Sequence, residues 1–367
     1  KPYFGAFQTS GYHRTPSQIK DKNALGQIVY GGAVNVSINR WTIGLTGIST
    51  RFDAELKRSD EPYNQFLWQG KENLVAGMDW KGTIKNVFLF GEVAASANNG
   101  RALLSGILLK PAVNAEVSMV YRNINKTYFS FYSNALTESS KTNDEQGLYL
   151  GFKYYPASKW KLSAYADLFN YKWIKYTTAA PSSGNEIFAQ LSFHPSARAE
   201  LYARFFQEDK EVKVTALNNK YNQPQQIKRW RFNYSQKISE SILLTSRMEA
   251  ITYTRIDQEN GLLVYQDITY KPLIRKFSFN GRMAYFNSES YYSRIYAYEN
   301  DLLYSFSIPA LFGKGIRTYI NIRQSVNEKL SLWLKVAATY PFSPANTDKM
   351  EKQNATYELK IQLRYKF

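Results

Sequence analysis

The sequence contains no cysteine, and only two of its 367 residues are histidines, His13 and His194. A disulfide framework and a thiolate metal site are therefore excluded. A catalytic or metal-binding histidine would need a nucleophile or further ligands beside it. His194 precedes Pro195 at a short turn and reads as interfacial decoration, and His13 lies in the polar run Gly11-Tyr12-His13-Arg14-Thr15-Pro16, where a solvated side chain is the expectation. No G-x-S-x-G elbow, H-E-x-x-H pair, P-loop or dinucleotide fingerprint occurs. The acidic groups Asp53 with Glu55 and Ser59-Asp60-Glu61 match no calcium loop and read as solvated. Neither enzymatic chemistry nor a cofactor or metal is expected. Also absent is any stretch of about 18 consecutive apolar residues, so a bundle of transmembrane helices is excluded. The opening Lys1-Pro2-Tyr3 lacks the features of a signal peptide, and the chain reads as a mature form or a piece of a longer one.

Aromatic residues are abundant: 29 Tyr, 22 Phe and 7 Trp stand in a chain whose mean hydropathy is -0.45. A disordered or merely solvated chain does not carry so many rings. A transmembrane β-barrel does, because its strands alternate lipid-facing apolar residues with interior polar ones while Tyr and Trp gather at the two interfaces. The net charge of +17 calls for anionic surroundings, which lipid phosphates at both rims would supply.

Read at period two, the sequence breaks into about twenty segments with one apolar face each. In the last of them, Tyr357, Leu359, Ile361, Leu363, Tyr365 and Phe367 alternate with Thr356, Glu358, Lys360, Gln362, Arg364 and Lys366. The same phase recurs where Ile316, Thr318, Ile320 and Ile322 oppose Arg317, Tyr319, Asn321 and Arg323. It recurs again where Trp230, Phe232 and Tyr234 oppose Arg229, Arg231 and Asn233, and where Phe277, Phe279, Met283 and Tyr285 oppose Asn280 and Arg282.

Connections fall into two classes that largely take turns. Short ones are expected at 39–40, 81–85, 111–114, 156–159, 195–198, 239–241 and 271–275, and long polar ones at 10–26, 53–70, 123–145, 173–184, 209–225 and 341–353. Tight periplasmic turns alternating with extended external loops are the mark of an outer-membrane barrel. The stretch 291–308 read as one strand would leave the C-terminus outside, so a turn is placed at Glu299-Asn300-Asp301, giving an even count near twenty. The expected fold is thus all-β: one antiparallel up-and-down transmembrane barrel over 1–367, with more strands if an upstream segment exists.

The inferred inward faces carry Arg204, Arg229, Arg231, Arg247, Arg282, Arg317, Arg323 and Arg364, which suggests a guanidinium-rich interior suited to an anion or polyanion. Glu116, Asp167, Glu200, Glu249, Asp267 and Glu358 read as inward too, so cross-strand ion pairs that merely satisfy the wall are the competing reading.

Several segments resemble the C-terminal barrel portion of a Bacteroidota family of helix-hairpin-helix-containing outer-membrane proteins: Thr9-Ser10-Gly11-Tyr12-His13-Arg14-Thr15, Glu61-Pro62-Tyr63-Asn64-Gln65-Phe66, Ala94-Ala95-Ser96-Ala97-Asn98, Leu201-Tyr202-Ala203-Arg204-Phe205 and Ser293-Arg294-Ile295-Tyr296-Ala297-Tyr298-Glu299-Asn300-Asp301. The resemblance implies a longer barrel and hints at nucleic acid handling, since the helix-hairpin-helix unit binds nucleic acid backbones elsewhere. The expected role is a channel, receptor or translocation component in the outer membrane, and the alternative is a non-conducting scaffold subunit of an envelope machine. Expected partners are outer-membrane lipid and lipopolysaccharide, proteins at the loops or the periplasmic face, and the barrel assembly machinery, which would read the final strand through Tyr365 and Phe367.

Overall fold

A computed structural model describes residues 3–7, 10–216, 219–274, 276–342 and 354–367. Among these the chain forms β1 (Tyr3–Phe4), α1 (Pro16–Lys20), β2 (Gln27–Ile38), β3 (Trp41–Leu56), β4 (Gly70–Ile84), β5 (Val87–Ser96), β6 (Gly100–Ala112), β7 (Ala115–Ile124), β8 (Glu145–Tyr154), β9 (Trp160–Tyr171) and β10 (Ser182–Ser196). It continues with β11 (Ala199–Ala216), β12 (Asn219–Ser239), β13 (Ile242–Thr254), β14 (Gln258–Tyr270), β15 (Phe277–Ser288), β16 (Ile295–Tyr296), β17 (Ala310–Leu311), β18 (Gly313–Ser325), β19 (Leu330–Pro341) and β20 (Thr356–Tyr365). Among the described residues no helix is long and apolar enough to cross a membrane.

β2 to β15 and β18 to β20 belong, with β1, to one eighteen-stranded sheet. From β2 to β7, from β12 to β15 and from β18 to β20, sequential strands pair antiparallel, as in β13 with β14 from Ile242↔Tyr270 to Thr254↔Gln258. The tight turns explain the registers. Asn39 and Lys85 take positive φ values of 55 and 52°, and each opens a two-residue connection of the twisted kind that hairpins require. Asn tolerates that conformation through its short polar side chain, whereas Lys85 is held there against a steric cost of roughly 1 kcal/mol.

Two compact units divide the chain. The first comprises Lys1–Phe152, Tyr165–Asn185 and Lys210–Pro224, and the second Lys153–Ala164, Glu186–Asp209 and Gln225–Phe367. In the first, Phe52, Leu56 and Trp68 form an apolar cluster with Phe4, Leu25, Phe129 and Phe131. In the second, Ile251, Leu263, Tyr265, Ala284 and Phe286 of the strands enclose Ile295, Ala297 and Leu311.

That second cluster corrects the expectation for 291–308. β15 pairs directly with β18, from Phe277↔Gln324 to Ser288↔Gly313, so no strand intervenes. Residues 289–312 are a folded loop with one two-residue ladder, β16 with β17, and an antiparallel bridge from Glu299 to Ser307, so Glu299 to Asp301 lead into the loop's own bend rather than into a turn between two strands of the sheet. Its alternating apolar residues pack onto neighbouring strands, which is why it reads as strand. Among the described residues the strands number twenty, as expected, but three of them, β1, β16 and β17, are of two residues, and eighteen belong to the large sheet.

Other connections differ as well. The segment expected as a long loop at 209–225 is mostly strand, since β11 runs to Ala216 and β12 starts at Asn219. Short connections at 97–99 and 255–257 occur at the end where the long loops lie, so the alternation of short and long is incomplete. Thr9, Leu217 and Asn218 of the expected 209–225 loop, Arg275 of the expected 271–275 turn and residues 343–353 of the expected 341–353 loop lie outside the described residues.

Candidate functional site

The strands present one apolar and one polar face, and loops fold onto the polar one. Within the first unit, the connection 125–144 between β7 and β8 does this. Arg122 on β7 is fully buried: its Nε donates to Glu145 Oε1 at 2.6 Å, and its Nη1 and Nη2 donate to Asp167 Oδ1 and Oδ2 at 2.8 and 3.1 Å. Glu145 also accepts the backbone N–H groups of Glu138 and Ser139 at 2.9 and 3.1 Å. One carboxylate thus ties the wall to the loop, and Lys210 Nζ donates to Glu138 at 2.6 Å to hold it from β11. The guanidinium has room because β8 carries Gly147 there, where any Cβ would strike Arg122.

Nearer the loop end of the same unit, Asp144 accepts the N–H groups of Lys172 and Trp173. Trp173 Nε1 donates to Pro62 O at 2.9 Å, and Lys126 lies over both the Phe66 and Trp173 rings at 3.6 and 4.7 Å. Three loops are joined by these contacts. Lys175 sits 2.8 Å from the Tyr171 ring centre, and burial pulls its ammonium down to about 8.

Within the second unit the inserted segment is 289–312. Glu299, 1% exposed, accepts from Arg317 Nε at 2.5 Å and Nη2 at 2.8 Å, and lies 3.5 Å from Lys335 Nζ. Asp301 accepts from Lys360 at 2.8 Å and lies 3.5 Å from Lys335. Backbone carbonyls of the loop are caught too: Arg282 Nη1 donates to Tyr298 O, Asn321 Nδ2 to Asp301 O and Gln362 Nε2 to Leu303 O. Gly261 on β14 lets the loop approach, since a Cβ there would meet Ser293 O.

The eight arginines singled out from sequence all lie in this second unit. Three have carboxylate partners: Arg231 with Glu249 at 2.6 Å, Arg282 with Asp267 at 2.6 and 2.7 Å, and Arg317 with Glu299 and, at 3.6 Å, Glu358. Arg204 donates to Gln190 Oε1 at 2.8 Å and Arg247 to Asn233 Oδ1 at 3.0 Å. Arg229 lies over Phe206, while Arg323 and Arg364 each lie 5.4 Å from the Trp333 ring. Arg364 Nε is buried without a hydrogen-bond partner. Of the acidic residues read as inward, Glu249, Asp267, Glu358 and Asp167 take part in these pairs, whereas Glu116 meets Lys110 and Glu200 meets His194 at more exposed positions. The residues missed from sequence are Arg122, Glu145, Glu299, Asp301, Lys335 and the docking glycines. Only the conjunction of a charge with a long apolar stretch, as in 291–308, could have pointed to one of them.

No known protein family and no curated relative matches the chain. Among solved structures, FpvA of P. aeruginosa, described in complexes with heterologous pyoverdines, is similar with a TM-score of 0.52 at 11% identity over 93% of this chain and 56% of that one. A loop-deletion form of OmpT, an outer membrane protein of Vibrio cholerae, gives 0.39 at 10% identity over 93 and 97%, and OccAB3 of Acinetobacter baumannii gives 0.41 at 10% over 93 and 91%. The FpvA likeness is one of fold, and this chain spans little more than half of that protein.

Proposed function

We propose that the chain forms the wall of an outer-membrane β-barrel that acts as a channel, receptor or translocation component for a solute or polymer, with the polar face inside. One observation carries the reading. Trp230, Phe232, Met283 and Ile320 are half or more exposed, whereas Arg282, Arg317, Lys335 and Glu249 on the alternate positions are buried. A sheet in water would bury the first set and solvate the second. Hydrocarbon against the apolar face rewards the opposite arrangement. The likeness in fold to FpvA supports the same reading.

The barrel would take up outer-membrane lipid and lipopolysaccharide on its apolar face. Loops 125–144 and 289–312 would screen its interior, so a substrate would move at least one of them. Kinship with the Bacteroidota helix-hairpin-helix outer-membrane proteins belongs to the proposal, and nucleic acid is the anionic polymer it nominates. The test is to recover the protein from outer-membrane fractions and record it in planar bilayers. Open-channel steps are expected, and absence from the outer membrane would overturn the reading.

A second reading, a non-conducting scaffold, is favoured by the matching of Arg122, Arg231, Arg282 and Arg317 with carboxylates, which leaves those charges no task toward a solute. Electrical silence together with stably co-purifying subunits would decide for it.

A further inference from the structure

The 289–312 loop of the second unit is held in two different ways along its length. Its arms are seated by apolar contact, since Ile295, Ala297 and Leu311 are buried among the strands. The arc between them, 298–306, is not. Tyr298, Tyr304 and Phe306 are 54, 88 and 75% exposed, and Leu302 and Leu303 are only partly buried. Tyr304 also takes a positive φ of 68°, a conformation that strains an aromatic residue. What holds the arc is charge, through Glu299 and Asp301, together with three wall side chains that donate to its carbonyls.

The wall beneath carries more positive charge than it can match. Lys335 on β19 stands directly opposite Lys360 on β20, where like charges repel. Arg317 on β18 completes the group. Among the described residues the one wall carboxylate within ion-pair distance of any of the three is Glu358, 3.6 Å from Arg317 and 2.7 Å from Lys360. Two positive charges remain, and they are met by carboxylates that arrive from the loop. Glu299 spans Arg317 and Lys335, and Asp301 spans Lys335 and Lys360, at 2.5 to 3.5 Å. Lys335 is wholly buried and lies against both. A buried ion group is a poor device for merely seating a loop, because desolvation consumes most of the attraction. It suits a carboxylate that comes and goes, since guanidinium and ammonium donors match carboxylate oxygens.

We propose that Arg317, Lys335 and Lys360 form a binding site for a small polycarboxylate, and that Glu299 and Asp301 fill it while the ligand is absent. Two carboxylates that share one ammonium, as these share Lys335, are what a compact di- or tricarboxylate presents. A monocarboxylate cannot span the site. Binding lifts the arc 298–306, while the apolar arms keep the loop attached to the wall. The proposal rests on the outer-membrane reading above, in which the polar face lines a space that solutes reach.

The test uses the purified full chain in detergent, with citrate as the probe and acetate and inorganic phosphate at matched ionic strength as comparisons. The sequence has no cysteine, so Ser305→Cys carries a single spin label on the arc. Citrate should mobilise that label. A label that stays immobile at millimolar citrate, or that acetate or phosphate frees as readily, would overturn the proposal. Glu299→Gln with Asp301→Asn removes the internal competitor, so calorimetry should find citrate bound about tenfold more tightly than by wild type. Adding Lys360→Gln to that pair should weaken binding by about tenfold again. Equal affinity in wild type and the double variant, or no effect of Lys360→Gln, would also overturn it. Should the double variant fail to fold, the label on the otherwise unchanged protein decides alone. Recovery of the protein from outer-membrane fractions judges the barrel reading separately, because binding in detergent does not depend on where the protein resides.

Discussion

Arg317 on β18 and Glu299 in the 289–312 loop form a two-pronged ion pair, with nitrogen to oxygen distances of 2.5 and 2.8 Å and both side chains nearly buried. The pair fixes the loop to the wall at a point where neither charge could be left alone, because breaking a buried pair from one side costs about 3–5 kcal/mol. Replacing Glu299 with Gln leaves Arg317 and Lys335 short of a carboxylate. The expected result is a lower melting temperature together with larger and more anion-selective conductance in planar bilayers. An unaltered conductance with the same loss of stability would mean that the loop stays seated without its anchor.

Arg122, Glu145 and Asp167 make the corresponding knot under the 125–144 loop. Arg122→Leu should destabilise the protein by roughly 3–5 kcal/mol by urea unfolding in detergent, since two carboxylates lose their partner. Asp167→Asn in the same background should then cost far less than it does alone. Additive losses in this cycle would show that the two residues are not coupled.

The arginines divide into two experimental classes. Changing Arg231, Arg282 and Arg317 together to Gln should lower thermal stability, because each is held by a carboxylate. Changing Arg323 and Arg364, which flank Trp333, should leave the melting temperature nearly unmoved and shift the reversal potential toward cations. If instead the first set moves selectivity and the second does not, the paired charges are those that face the permeating ion.

Lys175 gives a pH dependence whose sign can be worked out. The unfolded chain holds its proton up to the ordinary lysine value of 10.5, and the folded protein releases it at about 8. Between those values the unfolded state binds more protons, so stability rises with pH. Below about 8 the full cost of the buried ammonium is present. Lys175→Met should therefore melt higher than wild type at neutral pH, and the gap should narrow as pH climbs from 8 to 10.5. A gap constant across that window would show that the ammonium bears no such cost.

At the end of β20, Tyr365 and Phe367 are exposed, with ring centroids 5.4 Å apart. Deleting Phe367 or replacing Tyr365 with Asp should reduce the amount of heat-modifiable protein in the outer membrane. A charge at mid-depth, as in Ile320→Lys, should cost about 2–4 kcal/mol and reduce it further. Normal insertion of all three would mean that the apolar face does not meet lipid.

Strand phase was legible because the side-chain period is two and a one-residue slip would turn every arginine outward. That is why Trp230, Phe232, Met283 and Ile320 are exposed as read. Strand ends were less legible. At 209–216, 219–225 and 81–84 the polar residues are themselves in strands, and polarity alone does not separate a strand from a loop. The stretch 291–308 misled because Ile295 and Ala297 are buried against other strands, giving a loop the composition of a strand. At the site, the wall arginines could be read from alternation, but their partners could not. Glu299 is brought to Arg317, and Glu145 and Asp167 to Arg122, by how loops return over the sheet, which no local pattern encodes.

β11 and β12 are 18 and 21 residues long, where about 9–11 residues suffice to cross the hydrocarbon. At about 3.3 Å per residue, the surplus of some ten residues in β12 amounts to on the order of 30 Å of strand that a bilayer would not cover. The far part of this hairpin holds the neighbouring 173–184 connection, with Asn222 accepting from the N–H groups of Ala179 and Ala180 and Glu211 from that of Ser183. Under the outer-membrane reading proposed above, the residues joining β11 to β12 lie beyond Lys210, which holds Glu138, and beyond Glu211 and Asn222, so variation between strains should concentrate there, and a foreign epitope spliced between Ala216 and Asn219 would be displayed on a stem the protein already builds.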